Sequence, residues 1–245
     1  MCGIAGIFNL NGEPASPNIL KNMTDAIAHR GPDGEGHYTD GFVGLGHRRL
    51  AIIDLSPAGH QPMISADHRY VLSYNGEVYN YRELRTDLEA EGYWFRSKSD
   101  SEVVLHALAQ WGTDALLKFN GMFALALWDR KEQKLLLARD RYGIKPLYYA
   151  KQGDRFSFGS EQKAITAQPD FVRKLNKPAL LEYFTFQNIY TDQTLLEDIH
   201  LLPSGHYATL TLSDAPNAQL KRQQYWDYHF CEPEHPADKS EYLEE

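Results

Sequence analysis

The chain begins with a short apolar run that starts at its third residue. Residues 3–8 (GIAGIF) are apolar and partly β-branched, which is typical of a buried strand. Only Met1 and Cys2 precede this run, so we expect the amino terminus to be anchored in a sheet and not to fray. This feature constrains the fold more than any other, because it places Cys2 beside a buried strand.

The remaining sequence predicts strands on both sides of a helical middle. Short apolar segments bounded by polar turns indicate strands and hairpins, and apolar residues at helical spacing indicate helices. The pattern predicts an α+β protein with antiparallel sheets. The predicted helices cover about 17–29, Asn80 to Gly92, Ser99 or Asp100 to Trp111, and 113–119. Two predicted strands cover 42–47 and 70–74, and the second ends in Asn75-Gly76. Two predicted hairpins pair 122–128 with 135–139 and 147–150 with 155–160.

Charge and composition exclude several classes of partner. The chain has 25 Lys and Arg against 33 Asp and Glu, a formal net charge of −8, which does not favour binding to nucleic acid. No apolar run approaches the roughly 18 residues of a membrane span. The first basic residue is Lys21, so the basic region of a signal peptide is absent. We expect no nucleic-acid and no membrane partner.

The number of cysteines indicates the cellular compartment, and the chain length indicates the number of domains. Cys2 and Cys231 are too few for a disulfide framework, so a reducing cytoplasm is the expected compartment. A chain of 245 residues suits one large domain or two small ones. The sequence turns polar near its end, so we predict a domain over 2–212 and a polar tail or linker over 213–245. Cys231 lies in that tail and has no motif near it.

Cys2 is a candidate nucleophile. A methionine before a small residue is commonly removed, which would leave Cys2 with a free α-amine beside its thiol. The ordinary pKa values of the two groups, about 7.7–8.0 and 8.5, lie near neutrality, so one residue would hold a nucleophile and a base. The alternative is a cysteine that occurs near the terminus by chance.

A thiol nucleophile needs donors for an oxyanion and groups that hold the substrate. Asn75 and Gly76 could direct a side-chain N–H and a backbone N–H at one oxygen, although Asn-Gly is also a common hairpin turn. Arg48-Arg49 could bind the α-carboxylate of an amino acid, and Asp100 its α-ammonium. The alternatives are a solvated arginine pair and a helix N-cap at Asp100.

Eight motifs in a fixed order resemble one enzyme family. They are CGIAGIF at 2–8, HRGPD at 29–33, GHRRLAIID at 46–54, YNGEVYN at 74–80, SD at 99–100, GMFA at 121–124, RDRYGIKPLY at 139–148 and GSE at 159–161. Over about 2–210 the chain is similar to the glutaminase domain of class II glutamine amidotransferases, which are N-terminal-nucleophile hydrolases. It most resembles the N-terminal half of glutamine-hydrolysing asparagine synthetase, an enzyme of asparagine biosynthesis with ligase activity.

The resemblance implies a fold, a reaction and a set of site residues. The fold is a four-layer αββα sandwich with two antiparallel sheets. The reaction hydrolyses L-glutamine to glutamate and ammonia through a cysteinyl thioester, with no metal and no organic cofactor. Arg49 would bind the α-carboxylate and Asp100 the α-ammonium. The implied catalytic residues are Cys2, Asn75 and Gly76; the implied substrate-binding residues are Arg49, Leu50, Ala51, Ile52, Ile53, Asn75, Gly76, Glu77 and Asp100.

The resemblance also implies a partner. In the resembled enzymes a synthetase domain follows, binds ATP and Mg²⁺, activates aspartate and receives ammonia through a channel. Its Ser-Gly-Gly pyrophosphate loop is absent from these 245 residues. We therefore expect a synthetase domain or separate subunit as partner, and a homodimer is left open. The chain is interpreted as a cloned domain, half of a split gene or a remnant.

Two rival functions stay open at the level of sequence. One is the glutaminase domain of another amidotransferase, serving amino-sugar, purine, glutamate or natural-product chemistry. The other is a catalytically silent interaction module. The joint presence of Cys2, Arg49, Asn75, Gly76 and Asp100 argues against the silent module. The motifs at 29–33 and 139–140 are interpreted as loop architecture and as a buried ion pair or domain contact.

Overall fold

A computed structural model describes residues 1–212 and 220–230, and their strands pair into two antiparallel sheets of six. In chain order the strands are β1 (Gly3–Asn9), β2 (Gly34–Asp40), β3 (Val43–Arg49), β4 (Met63–Ile64), β5 (Tyr70–Val78), β6 (Gly121–Asp129), β7 (Lys134–Arg139), β8 (Tyr148–Gln152), β9 (Arg155–Gly159), β10 (Ile199–Leu201), β11 (His206–Thr211) and β12 (Lys221–Gln224). The first sheet has the order β10-β8-β9-β1-β3-β2, and the second has the order β12-β11-β7-β6-β5-β4. β1 therefore lies inside the first sheet, between β9 and β3.

The helices begin and end at residues that the sequence marks. Ser16 caps the first helix, in front of a proline at its first position, and Ser99 caps the third. Gly112 ends that third helix at a φ of 57°, a conformation that favours glycine. The helices are α1 (Pro17–Asp25), α2 (Tyr81–Ala90), α3 (Asp100–Trp111), α4 (Ala115–Lys118), α5 (Gln162–Thr166) and α6 (Lys177–Phe186).

Alternating side chains make each sheet apolar on both faces. In β1, Ile4 and Phe8 pack between the two sheets, whereas Ala5 and Ile7 pack against α1 and α5. In the second sheet, the side chains of β5 and β6 alternate in the same way between the inter-sheet core and the helices α2, α3 and α4. The result is helices, sheet, sheet and helices in four layers, which confirms the αββα prediction.

Three elements differ from their predicted bounds. β5 does not end at Asn75-Gly76 but continues to Val78, because these residues stay paired with β6. α1 is shorter than the predicted 17–29, since a 3-10 turn at 28–30 follows it. Residues 221–224, in the predicted tail, form the edge strand β12 although all four side chains are exposed.

Part of the predicted tail lies outside the described residues. These are residues 213–219 and 231–245, which include Cys231, and the domain boundary at residue 212 stays a prediction. Within the described ranges no helix combines the length and the hydropathy that crossing a membrane requires.

Candidate active site

One cavity brings together every residue that the resemblance assigned to the site. It encloses about 150 Å³ beside the start of β1. The loop after β3, the middle of β5 and the first turn of α3 supply its walls. The predicted residues that line it are Cys2, Arg49, Leu50, Ala51, Ile52, Ile53, Asn75, Gly76, Glu77 and Asp100.

Cys2 lies at this cavity with its backbone and its thiol both held. Arg30 donates from Nε to the carbonyl oxygen of Cys2 at 2.9 Å. The backbone N–H of Leu50 donates to the Cys2 Sγ at 3.3 Å. Burial raises the pKa of the thiol, and the Leu50 N–H together with the positive charges of the N-terminus and Arg49 act in the opposite direction.

The pairing of β1 with β3 explains how this terminus reaches the cavity. The register joins Gly3 to Arg48, so Cys2 faces the residues that follow in β3. Strand alternation then separates the two arginines. Arg49 lines the cavity, whereas Arg48 lies outside it and pairs with Glu35 at 2.7 Å and with Asp25. The structure therefore gives the two arginines different surroundings, and only Arg49 lines the cavity.

The loop after β3 is held by hydrogen bonds with Arg49, from its own motif, and with Asp33, from the motif at 29–33. The Arg49 NH1 group donates to the carbonyl oxygen of Ser56 at 3.0 Å, and its NH2 group to that of Asp54. The Asp33 carboxylate accepts a hydrogen bond from the backbone N–H of Ala51 at 2.9 Å. These contacts keep residues 50–53 against the cavity, although the Ile52 side chain itself is 65% exposed.

Asn75 is buried inside β5 with a donor that has no partner. Its side chain is 1% exposed, and its Nδ2 lacks a hydrogen-bond acceptor in the described structure. A buried amide donor without a partner costs free energy, so this Nδ2 is available to bond an acceptor that enters the cavity. A hairpin turn is excluded here, because Asn75 and Gly76 are paired with Ala124 and Phe123.

Gly76 is required by the close approach of β6. A Cβ atom at this position would lie 2.5 Å from the Met122 carbonyl oxygen and 2.6 Å from the Phe123 Cβ. Real Cβ atoms do not approach that closely, so a side chain would push the two strands apart. Glycine therefore lets the backbone of β5 line the cavity while remaining paired.

Asp100 faces the cavity from the start of α3 and does not cap the helix. Ser99 provides the cap by accepting from the backbone N–H of Ser101. The Asp100 carboxylate accepts from the Tyr74 hydroxyl at 2.9 Å and from the Val78 N–H at 3.1 Å. Burial raises the pKa of Asp100, and these two hydrogen bonds lower it in part.

Several cavity residues were missed by the reasoning from sequence. Tyr74, Met122 and Lys145 lie inside recognised motifs, but their spacing carries no chemical signal of its own. Gln61 lies outside the motifs and reaches the site by accepting from the Tyr74 backbone N–H at 2.7 Å. Only the tertiary structure brings these residues to the cavity.

The motifs at 29–33 and 139–140 have structural contacts, with one difference from expectation. Asp140 accepts from four backbone N–H groups, those of Phe123, Tyr142, Ile144 and Lys145, at 3.0–3.1 Å. Arg139 donates to carbonyl oxygens at 143, 145 and 202. In the described structure the pair thus stabilises the loop by backbone contacts and not by a mutual salt bridge. Among the described residues no cluster of three metal-ligating side chains occurs.

The fold and the cavity define a class of enzyme. A cysteine at position 2, directly before an inner strand of a four-layer αββα sandwich, fits the arrangement of N-terminal-nucleophile amidotransferases. The chain belongs to the glutamine amidotransferase domain family, whose family model matches residues 1–226. The family identity agrees with the resemblance found in the sequence motifs.

Curated relatives place the chain near asparagine synthetases. It is 38% identical over 243 residues to glutamine-hydrolysing asparagine synthetase 1 of Bacillus subtilis, covering 98% of this chain and 37% of the relative. It is 35% identical over 265 residues to a putative glutamine-hydrolysing asparagine synthetase 2 of Methanocaldococcus jannaschii, covering 100% of this chain and 50% of the relative. The chain therefore spans half or less of the length of these relatives.

A solved structure shows the same fold at low sequence identity. The chain superimposes on the glutamine phosphoribosylpyrophosphate amidotransferase of B. subtilis with a TM-score of 0.66 and 20% identity. The match covers 92% of this chain and 49% of that one. This likeness supports the two-sheet architecture.

Proposed function

We propose that the chain is a glutaminase that uses Cys2 as its nucleophile after Met1 is removed. The Cys2 thiol gives its proton to the freed α-amine, directly or through a water, and the sulfur attacks the side-chain amide carbon of L-glutamine. The C–N bond breaks and the amine proton passes to the leaving nitrogen, so ammonia departs. Water then hydrolyses the γ-glutamyl thioester, giving glutamate and the free thiol.

The orphaned amide of Asn75 is the observation that carries this proposal. Attack on the amide carbon places negative charge on its oxygen, and that oxyanion needs donors fixed in advance. The Asn75 Nδ2 is buried, lacks a partner among the described residues and lines the same cavity as Cys2. With the adjacent backbone N–H of Gly76, it would form the oxyanion hole.

Two opposite charges would hold the glutamine main-chain groups. Arg49 presents a planar guanidinium suited to the α-carboxylate, and Asp100 a buried carboxylate suited to the α-ammonium. Residues 50–53 and Glu77 would line the substrate between them. The proposed reaction uses no metal and no organic cofactor, and its proposed compartment is the cytoplasm, where the thiol stays reduced.

We propose that the ammonia serves an asparagine-synthetase-type amidation. The support is that the relatives described above are glutamine-hydrolysing asparagine synthetases or putative ones, of which this chain covers 37% and 50%. A synthetase domain or subunit would bind ATP and Mg²⁺ and receive the ammonia. The chain by itself would then release ammonia into solvent.

An aromatic cluster offers a surface for that partner. Tyr142 packs edge-on against Trp226 with ring centroids 5.2 Å apart, and Tyr228 stacks on Phe230 at 5.6 Å. Phe230 is 91% exposed at the end of this described segment. We propose that the synthetase domain packs on this cluster, because Tyr142, Tyr228 and Phe230 expose large aromatic surfaces that a partner would cover.

The glutaminase proposal is tested by following glutamate and ammonia release from L-glutamine, with intact mass reporting whether Met1 is gone. Equal amounts of both products support the proposal. Loss of Met1 without either product, and without glutamine binding by calorimetry, contradicts it and favours a silent module.

The partner is tested separately by sedimentation with a recombinant synthetase segment of the B. subtilis relative. Association that Phe230→Ser weakens is expected, and no association contradicts the docking proposal.

A further inference from the structure

Lys145 is a buried cation that the proposed reaction does not use. Lys145 is only 5% exposed, and it lines the same cavity as Cys2. Its Nζ contacts the Sδ of Met1 at 3.0 Å. A thioether is a weak acceptor without charge, so this contact does not compensate a buried ammonium. In the described part of the chain the ammonium makes no salt bridge.

The backbone around Lys145 is fixed by its motif. Its N–H donates to the Asp140 carboxylate at 3.0 Å, and its carbonyl oxygen accepts from the Arg139 Nε at 2.9 Å. Gly143 permits the turn between them at a φ of 65°. The side chain therefore extends from a hydrogen-bonded loop to Met1, at the cavity that Cys2 lines.

A second cation approaches the terminus from the other side. The Arg30 side chain is 9% exposed, and it donates to the Cys2 carbonyl oxygen at 2.9 Å and to Glu161 at 3.0 Å. Its NH2 group is buried without a partner among the described residues. Burial and the charge of Arg30 both lower the pKa of Lys145. The contacts of Arg30 with the Cys2 carbonyl oxygen and of Lys145 with Met1 place two cationic side chains beside the first two residues.

The other charged groups around this region act on the same terminus. Glu77 of β5 and Asp140 after β7 favour the charged form of Lys145, and Cys2 does so when its thiol is ionised. Arg49 from β3 favours the Cys2 thiolate, and Asp100 from α3 opposes it. Lys145 and Arg30 therefore act together with negative groups on the amino terminus. The effect of the Lys145 charge on the pKa values there is measured by removing that charge.

We propose that Lys145 is a positioning residue whose charge, together with that of Arg30, keeps the freed α-amine of Cys2 neutral and favours the thiolate. This inference rests on the proposed function. An α-amine with its ordinary pKa of about 7.7–8.0 is mostly protonated at neutral pH and cannot accept the thiol proton. Neighbouring positive charges disfavour the ammonium form, which leaves the amine available as a base.

The activity test compares the pH dependence of kcat/KM for glutamine in four chains. They are the wild type, Lys145→Met, Lys145→Arg and the control Lys134→Met, which removes an exposed lysine of β7 outside the cavity. We expect the midpoint of the acid limb to rise by about one pH unit in Lys145→Met. Lys145→Arg and Lys134→Met should keep the wild-type midpoint. A lysine that only fills space would leave the midpoint unchanged in all four, which would overturn the proposal.

A second readout does not depend on glutaminase activity. The rate of Cys2 alkylation by iodoacetamide is followed against pH by mass analysis of the amino-terminal peptide after loss of Met1. Removing the Lys145 charge should raise the alkylation midpoint, since the thiolate loses a favourable neighbour. Lys145→Gln serves as the neutral variant if circular dichroism shows that Lys145→Met is unfolded.

The two readouts separate failure of this inference from failure of the proposed function. If no chain releases glutamate but the alkylation midpoint rises in Lys145→Met, the glutaminase proposal is wrong and the electrostatic role of Lys145 is supported. If glutamate is released and neither midpoint moves, the role of Lys145 is wrong and the glutaminase proposal stands.

Discussion

The backbone N–H of Leu50 donates to the Sγ of Cys2 at 3.3 Å. This contact joins the amino terminus to the loop that lines the cavity, because β1 and β3 are neighbours in the first sheet. The same loop is held by Asp33 and by Arg49. The proposed nucleophile and the substrate-binding loop are thus joined by a direct hydrogen bond. A substitution in either one should therefore shift the position of the other.

Asn75→Ala tests the oxyanion hole. The variant removes the Asn75 Nδ2 donor, which is buried without a partner among the described residues and belongs to a residue that lines the cavity with Cys2. We expect kcat to fall by about 10²- to 10³-fold with little change in KM, because the lost hydrogen bond forms mainly in the transition state. Steady-state glutamate release measures both constants. An equal rise in KM with kcat preserved would assign Asn75 to substrate binding instead.

Gly76→Ala tests the close approach of β6 to β5. The new methyl group would collide with Met122 and Phe123, so we expect a loss of about 1–3 kcal/mol in the free energy of unfolding. Urea denaturation measures this loss. Gly34→Ala is the matched control, since the nearest atom to its Cβ is 3.8 Å away. Equal stability of the two variants would contradict the packing argument.

Asp100→Asn separates substrate binding from stability. A neutral amide no longer attracts the α-ammonium, so we expect KM for glutamine to rise roughly tenfold or more. Burial raises the pKa of Asp100, so the folded chain pays for the charged form at neutral pH. The variant should therefore keep or gain thermal stability at pH 7 and lose this advantage as pH falls through the raised pKa. A lower Tm at pH 7 would show that the carboxylate stabilises the fold.

Glu161→Gln tests the contacts that hold Arg30 against Cys2. Burial alone would raise the pKa of Glu161, but hydrogen bonds from Arg30, Lys163 and His29 lower it to about 2. A lowered pKa stabilises the folded state above the ordinary value of 4.5, and that stability is lost as pH falls toward 2. We expect the wild type to exceed the variant in unfolding free energy at pH 6, and the difference to shrink between pH 4.5 and 2. A constant difference across this range would contradict the ion-pair account.

The sequence predicted the elements whose signals are local. The apolar run of β1 and the serine and glycine at the ends of α3 act within a few residues, and both elements have nearly the predicted bounds. Asn75-Gly76 was misread as a strand end because its conformation is decided by β6, which lies more than 40 residues further along the chain. β12 was missed because its side chains are exposed and only backbone pairing with β11 forms it.

Residue chemistry alone predicts part of the candidate site, and the family resemblance adds the apolar residues 50–53. Cys2 stands out by residue type and position, whereas the family resemblance selects Arg49 over Arg48, and the structure places Cys2 and Arg49 at one cavity. Nothing in the sequence distinguishes Lys145 from a surface lysine. Its burial results from the tertiary structure, which packs its loop against the amino terminus. Gln61 likewise joins the site through one long-range hydrogen bond.

The most direct test of the account is glutamate release from L-glutamine by the wild type and by Cys2→Ala, each with its intact mass. Alanine also permits removal of Met1, so the two chains differ only in the sulfur. We expect both chains to lose Met1 and to bind glutamine, and only the wild type to release glutamate. Equal release by Cys2→Ala would show that the thiol of Cys2 is not the nucleophile.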